Sequence, residues 1–298
     1  RYAINEQKYH MPKDYYKNYL KNVEAVTAKD VKDVANRYIT PGVAHITVAG
    51  DKAQVAEKLK KFGPVTVYDI NGNEVKENAP AVIPSNVSAK SIVQKHIDAT
   101  GGTAAWMAVH NMVTKRVMEM QGMKININTT QKEPNKLIVD INMKGNSLQK
   151  IVFNGTTGYM SARGQKSDFE ADDVKKDSEE ARLHQDLSYL GNDYKLSLKG
   201  IEKVDENDAY VVEVTRPSGA TLIEYYDVKS GLKVKTEEFT ETPEGKETQT
   251  SFYLDYKDNT GGLKFPQMIK QTGGPMGMME LSLESVEINT NMPDETFN

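Results

Sequence analysis

AYVVEVTRPSGATLIEYYDVKSGLKVKTEEFT, residues 209–240, reads as three runs, 209–215, 221–228 and 233–240, that alternate apolar with polar residues and are separated by short turns. That is the antiparallel signature, because one face of such a strand is buried while the other meets water. The same texture extends in both directions. Upstream it covers 112–121, 123–129, 136–144, 148–154, 158–161 and 194–204, and downstream 248–256, 265–271 and 279–288. A helix over 171–190 interrupts it. About a dozen meandering strands with one central helix predict a large curved antiparallel sheet, or half-barrel. Before the strands, Ser88 caps a helix over 89–99 whose Ile92, Val93, His96 and Ile97 share one face, and Gly101-Gly102 ends it. A shorter helix over 103–110 holds the only tryptophan, Trp106.

Residues 11–69 read differently, as two amphipathic helices, a strand, a third helix and a second strand. Thr27 can cap a helix over 28–38, with Asp30 well placed in its first turn. In it Val31, Val34, Ala35 and Tyr38 fall at i, i+3, i+4 and i+7, one apolar stripe that must pack on something. Pro41-Gly42 stops that helix. A strand over 44–49 follows, and Gly50-Asp51 turns into a helix whose Val55, Ala56 and Leu59 face inward. A strand over 65–70 ends in a tight turn at Asn71-Gly72-Asn73, so a short hairpin is expected there. Two strands are too little sheet to bury three apolar stripes. The chain opens on Arg1 without an initiator Met, and it reads as a fragment. From 71 to 87 the run is rich in Asn and Pro with no helical period, a linker. The expected layout is α+β: a helix-rich module 1–70, a linker 71–87 and a strand-rich domain 88–298.

Composition narrows the function. At 298 residues the chain can hold two domains with proper cores. Lys and Arg number 38 against 42 Asp and Glu, interspersed rather than in blocks, which argues against nucleic acid. No apolar run approaches the roughly 18 residues needed to span a bilayer as a helix. Without cysteine there is no disulfide, thiolate metal site or lipidated Cys within these residues.

Two stretches resemble known families. AVTAKDVKDVANRYITP, AHITVAGD and VAEKLKKFGPV, in that order, resemble the C-terminal end of a domain of peptidase family M16, the pitrilysin-type zinc metallopeptidases. That family's metal site is an inverted His-x-x-Glu-His motif with a distal Glu. The motif is absent here: His10, His45, His96, His110 and His184 have no partner at that spacing. Arg1 and Tyr9 do not reproduce the family's substrate-side Arg and Tyr either. The resemblance therefore implies zinc and the catalytic residues in an upstream part of a parent protein, whose peptidase domains would be this chain's partners. No zinc ligand and no catalytic residue is expected here.

The second resemblance covers 88–298. IVQKHIDATGG with Trp106 close behind, YVVEVTRPSGATLIEYYDVKSGLKVKTE, and the ending NTGGLKFPQMIKQTG with LESVEINTNMPDETF resemble LolA-like and outer-membrane lipoprotein-sorting proteins. That resemblance implies an open barrel with a helical lid around an apolar cavity for acyl chains, and an exported, periplasmic or outer-membrane-associated setting.

Candidate sites are few. Met112, Met118, Met120, Met123, Met143 and Met279 are candidates for lining an apolar cavity, since thioethers fill irregular space; Met276 and Met278 lie beside them in sequence, and ordinary core packing is the alternative. Glu180 and His184, at i and i+4, lack a third metal ligand. Asp172, Asp173, Asp177, Glu179 and Glu180, with Lys175 and Lys176, read as a solvated helix face. Gly273-Gly274-Pro275-Met276-Gly277 leads from strand to strand, a hairpin loop and not a phosphate cradle.

Three readings follow. The chain is the non-catalytic C-terminal portion of an exported pitrilysin-type zinc endopeptidase, its accessory domain binding lipid, lipoprotein or peptide. Alternatively it is a lipid or lipoprotein carrier with no peptidase role. The third is a protein-interaction domain with a filled core.

Overall fold

Thr27 Oγ1 accepts the backbone N–H of Asp30 at 3.2 Å, and Asp30 Oδ2 accepts that of Thr27 at 2.9 Å, the reciprocal cap from which a helix runs over Ala28–Tyr38. The computed structural model describes residues 2–39, 42, 45–50, 52–68, 72, 74, 83–120, 122–242, 245–274 and 277–298. It divides into two units, residues 1–77 and 78–298. The first contains α1 (Tyr2–Lys8), α2 (Tyr15–Glu24), α3 (Ala28–Tyr38) and α4 (Lys52–Leu59).

The strands expected in this unit do not form among its described residues. Residues 45–49 have no regular structure, and Ala44 lies outside the described set. Of the expected hairpin, the described residues show one isolated bridge, Tyr68 to Glu74, while residues 69–71 and 73 lie outside them. A strand without a ladder partner leaves its N–H and C=O groups to water, so the extended form gains nothing over coil. No residue of α2 or α3 is buried, and Val31, Val34 and Tyr38 are exposed by 60%, 56% and 70%. The stripe is there, and among the described residues of this unit it stays exposed.

The second unit opens with α5 (Ala89–Ala99), where Ser88 Oγ accepts the N–H of Ser91 at 3.1 Å and Ser91 Oγ accepts that of Ser88 at 2.9 Å. Next comes α6 (Thr103–Met107), shorter than the expected 103–110. The strands are β1 (Asn111–Met120), β2 (Met123–Lys132), β3 (Lys136–Met143), β4 (Asn146–Phe153), β5 (Gly158–Ala162) and β6 (Gln165–Asp168). After α7 (Ala171–Glu180) and α8 (Gln185–Tyr189) follow β7 (Lys195–Val204), β8 (Asn207–Thr215), β9 (Thr221–Asp227), β10 (Lys233–Thr242), β11 (Gly245–Asp258), β12 (Lys264–Gly274) and β13 (Gly277–Ile288). Among the described residues these thirteen strands form one open, curved antiparallel sheet in the order β6-β5-β4-β3-β2-β1-β13-β12-β11-β10-β9-β8-β7. The α+β class with a large curved antiparallel sheet is thus the observed one. Two hairpin meanders are joined through β1 and β13, which pair from Met112 opposite Ile288 to Val117 opposite Ser282.

The 171–190 helix splits in two. Ala181 and Leu183, two apart and both buried, enter different apolar clusters, a spacing that suits an extended link and not a helix. The pair Glu180 and His184 therefore does not share a helix. The edge strand β6, with sequence QKSD and wholly exposed, was not expected because it has no apolar alternation.

Candidate functional site

Alternation along the sheet decides which side chains meet. On β1 the residues Met112, Thr114, Arg116, Met118 and Met120 point to one face, and the unbroken register with β2 sets Gln131, Thr129, Ile127, Ile125 and Met123 beside them. Helices α5 to α8 of the second unit pack on this same face. α5 and α8 pack with Tyr210, Val212, Val214, Leu222 and Tyr226. Trp106 of α6 and Leu183 pack with Met112, Phe265 and Val286, and Ala181 and Val174 with Leu137 and Phe153.

One section of the face is built from strand residues alone among the described residues. Met118, Ile125 and Leu281 form a buried cluster with Ile127, Ile141, Ile269 and Met279 at its margin, and every member belongs to a strand. Cross-strand pairs Ile127 to Ile141, Leu281 to Ile269 and Ile269 to Tyr253 extend it over β3, β2, β1, β13, β12 and β11. A hollow of about 530 Å³ at the strand ends belongs mainly to the opposite face, to which Val117, Glu119, Lys124, Met278, Glu280, Ser282 and Glu284 alternate, while Met118, Met120 and Met279 border it from the same strands.

Met118, Met120 and Met279 share the helix-bearing face by alternation, and Met118 and Met279 belong to the strand-built cluster. Met123 stands opposite Met120 across the β1–β2 hairpin, and both are partly exposed, at 41% and 38%. Met143, two residues beyond Ile141 on β3, shares the face by alternation. Met112 is elsewhere: it packs in a closed core with Val109, Leu263 and Phe265, under Trp106, at the opposite end of β1. Met276 lies outside the described residues.

Arg116 sits on β1 between the closed core and the uncovered cluster, opposite Ile127 on one side and Leu283 on the other. Its Nη2 donates to the carbonyl of Pro266 at 3.2 Å, while Nη1 is buried with no hydrogen-bond partner among the described residues. Burial pulls this guanidinium below its ordinary value, with Tyr253 and Tyr256 facing it.

A buried ionic cluster fastens α5 and α8 to the sheet. Lys233 Nζ donates to Asp186 Oδ1 at 2.8 Å and to Glu224 Oε1 at 2.9 Å. Glu224 also accepts from the hydroxyls of Tyr189 and Tyr226. His96 Nδ1 accepts the backbone N–H of Lys233 at 3.1 Å, so its proton sits on Nε2, 3.7 Å from Asp186 Oδ2. Burial depresses His96 to about 4, against the pull of Asp186. For Lys233 burial works against the charge, but Asp186 and Glu224 outweigh it and hold the ammonium well above its ordinary value. The two carboxylates divide: burial pushes Glu224 up, whereas Lys233 and His96 overcome burial and hold Asp186 down. The side-chain exposure runs the same way, at 32% for Asp186 and 3% for Glu224. This closed cluster is a fastening.

The acidic face expected on the central helix is partly internal. Glu179 is buried and accepts the N–H of Ser218 at 2.6 Å and its hydroxyl at 2.7 Å, closing the β8–β9 turn. Glu180 pairs with Arg216 at 3.0 Å, and Arg216 reaches Glu238 at 2.8 Å. Sequence reading took these carboxylates as solvated because their partners lie about 40 residues away in the chain. Among the described residues no group of three His, Cys, Asp or Glu could hold a metal ion, and no helix is long and apolar enough to cross a membrane.

No protein-family model matches the sequence, and no curated protein matches it. The pitrilysin-type resemblance of residues 11–69 finds no support there. In backbone course the chain is similar to a LolA superfamily protein from Nitrosomonas europaea, at 17% identity over 71% of this chain and 98% of that one, with a TM-score of 0.48. It is likewise similar to a DUF1329 family protein from Desulfovibrio piger (12% identity, 70% and 97% covered, TM-score 0.49). A third is a putative outer membrane lipoprotein-sorting protein domain from Vibrio parahaemolyticus (12% identity, 70% and 96% covered, TM-score 0.48). Likenesses with TM-scores below 0.5 carry no weight for function, which falls to the residues of this chain.

Proposed function

We propose that the strand-rich unit is a non-catalytic carrier that binds an apolar chain, such as the acyl chain of a lipid or lipoprotein or an apolar peptide, on the uncovered section of its helix-bearing face. The observation that carries this is the Met118–Ile125–Leu281 cluster, which strand side chains alone close off, with Ile127, Ile141, Ile269 and Met279 half-buried at its margin, whereas the neighbouring clusters of that face pack against helices. A curved sheet lined by aliphatic and thioether side chains offers an apolar ligand burial without requiring it to satisfy backbone groups. An exported, periplasmic setting is part of the proposal, since acyl carriage has its use between membranes.

The test is thermal unfolding with palmitate, hexadecanol or a synthetic diacyl lipopeptide. A ligand that binds only the native state must raise Tm. The wild type should show such a rise, and Ile125→Asp, which puts a carboxylate opposite Met118, should not. No rise with any of the three overturns the carrier reading.

A second reading keeps the chain as the non-catalytic C-terminal portion of an exported pitrilysin-type endopeptidase with its zinc ion upstream. It is favoured by the exposed stripe Val31, Val34 and Tyr38 on α3, which needs a partner surface. A gene without an upstream His-x-x-Glu-His would end it.

A further inference from the structure

The other buried cations of the helix-bearing face have counter-ions. Lys233 has Asp186 and Glu224, and Arg216 has Glu180 and Glu238. Arg116 has none: among the described residues no carboxylate pairs with it, its Nη2 donates to Pro266, and its buried Nη1 has no partner. A guanidinium cannot escape this position by losing its proton, and a buried charge without a partner is unfavourable. Its neighbours also differ from those of an ordinary structural arginine. On β1 the next residue on the same face is Met118, and the flanking strands present Ile127 and Leu283. From Arg116 the apolar section runs to Met120 and Met123 at the hairpin end, about 13 Å of strand at ~3.3 Å per residue. The residues at that far end are partly exposed, which makes it the entrance.

We propose that Arg116 is the headgroup anchor of this face: its free Nη1 receives the anionic end of a single-chain amphiphile, a carboxylate or a phosphate monoester, whose tail lies along Met118, Ile125, Leu281 and Met279 toward the hairpin. This rests on the carrier reading above and gives it a substrate class. The charge that the fold leaves uncompensated is supplied by the ligand. The polarity follows from the positions: the head is seated inward, against the wall formed by Met112, Phe265 and Trp106, and the tail extends outward.

The experiment compares palmitate, hexadecyl phosphate and hexadecanol, which share a tail and differ at the head, by titration calorimetry below their aggregation limits. The wild type should bind at least one of the two anions tenfold or more tighter than the alcohol, and the order of the two anions identifies the headgroup. In Arg116→Met that preference should vanish while hexadecanol binding persists, and Arg116→Lys should keep part of it. Equal affinity for alcohol and anions in the wild type, or a preference that survives in Arg116→Met, overturns the anchor and leaves the carrier reading standing. If none of the three binds the wild type, the carrier reading itself fails. Should Arg116→Met not fold, the wild-type comparison of heads still decides the question.

Discussion

Lys233 Nζ lies 2.9 Å from Glu224 Oε1 inside the protein, a pair that joins the first residue of β10 to the middle of β9 and, through Asp186, to α8. Removing the cation leaves a buried carboxylate pair without compensation, so Lys233→Met should cost about 3–5 kcal/mol in urea unfolding. The double variant Lys233→Met/Glu224→Leu should recover part of that loss. If the single variant is neutral, the cluster contributes nothing to stability.

His96 supplies a pH dependence. Its native value of about 4 lies below the unfolded 6.5, so between these the unfolded chain binds more protons and stability falls as the pH is lowered. The contribution is fully present above pH 6.5 and about 3 kcal/mol of it is gone by pH 4. Asp177 acts in the opposite sense over part of this window, because burial first, and then Glu180, raise it to about 6. The difference between wild type and His96→Asn isolates the histidine: the variant should lose the downward slope below pH 6.5, and an unchanged slope would exclude His96 as its source.

Glu179 ties α7 to the β8–β9 turn through both groups of Ser218. Glu179→Ala leaves a backbone N–H and a hydroxyl without their acceptor, a loss of about 1–3 kcal/mol. Hydrogen exchange at residues 216–220 should speed up while exchange in β1 and β2 stays as it was.

Gly158 has no room for a methyl group. A Cβ there would lie 2.5 Å from the Val152 carbonyl oxygen and 2.5 Å from the Phe169 ring. The Val152 carbonyl belongs to the β4–β5 ladder and cannot withdraw without breaking it. Gly158→Ala should therefore lower stability by about 1–3 kcal/mol, measured as a drop in Tm, and a Tm equal to wild type would contradict the packing.

Much of the fold was legible because it is local. Twelve of the strands alternate over runs bounded by turns, and Ser88 and Thr27 announce α5 and α3 by their caps. What escaped depends on distance along the chain. The break at Ala181–His184 follows from two buried residues entering separate clusters, and QKSD is a strand only because β5 offers it an edge. Methionine content pointed to the cavity end of β1, yet Met112 shares residue type and face with Met118 and differs only in lying under Trp106. Arg116 gave no signal at all, since an arginine between Lys115 and Val117 in an alternating strand reads as solvated. The isolation of its Nη1 exists only once β12 has laid Pro266 and Ile269 beside that face.

The pairing of β1 with β13 sets a timetable for synthesis. β1 lies inside the finished sheet, but its neighbour on one side, β13, is made more than 150 residues later. Until then the nascent chain carries two separate meanders, and the flank of β1 that will meet β13 is an unpaired edge of the kind that recruits other chains. A product that lacks β13 is left permanently in that state, so its loss should show itself as aggregation through the exposed edge of the β1–β6 meander.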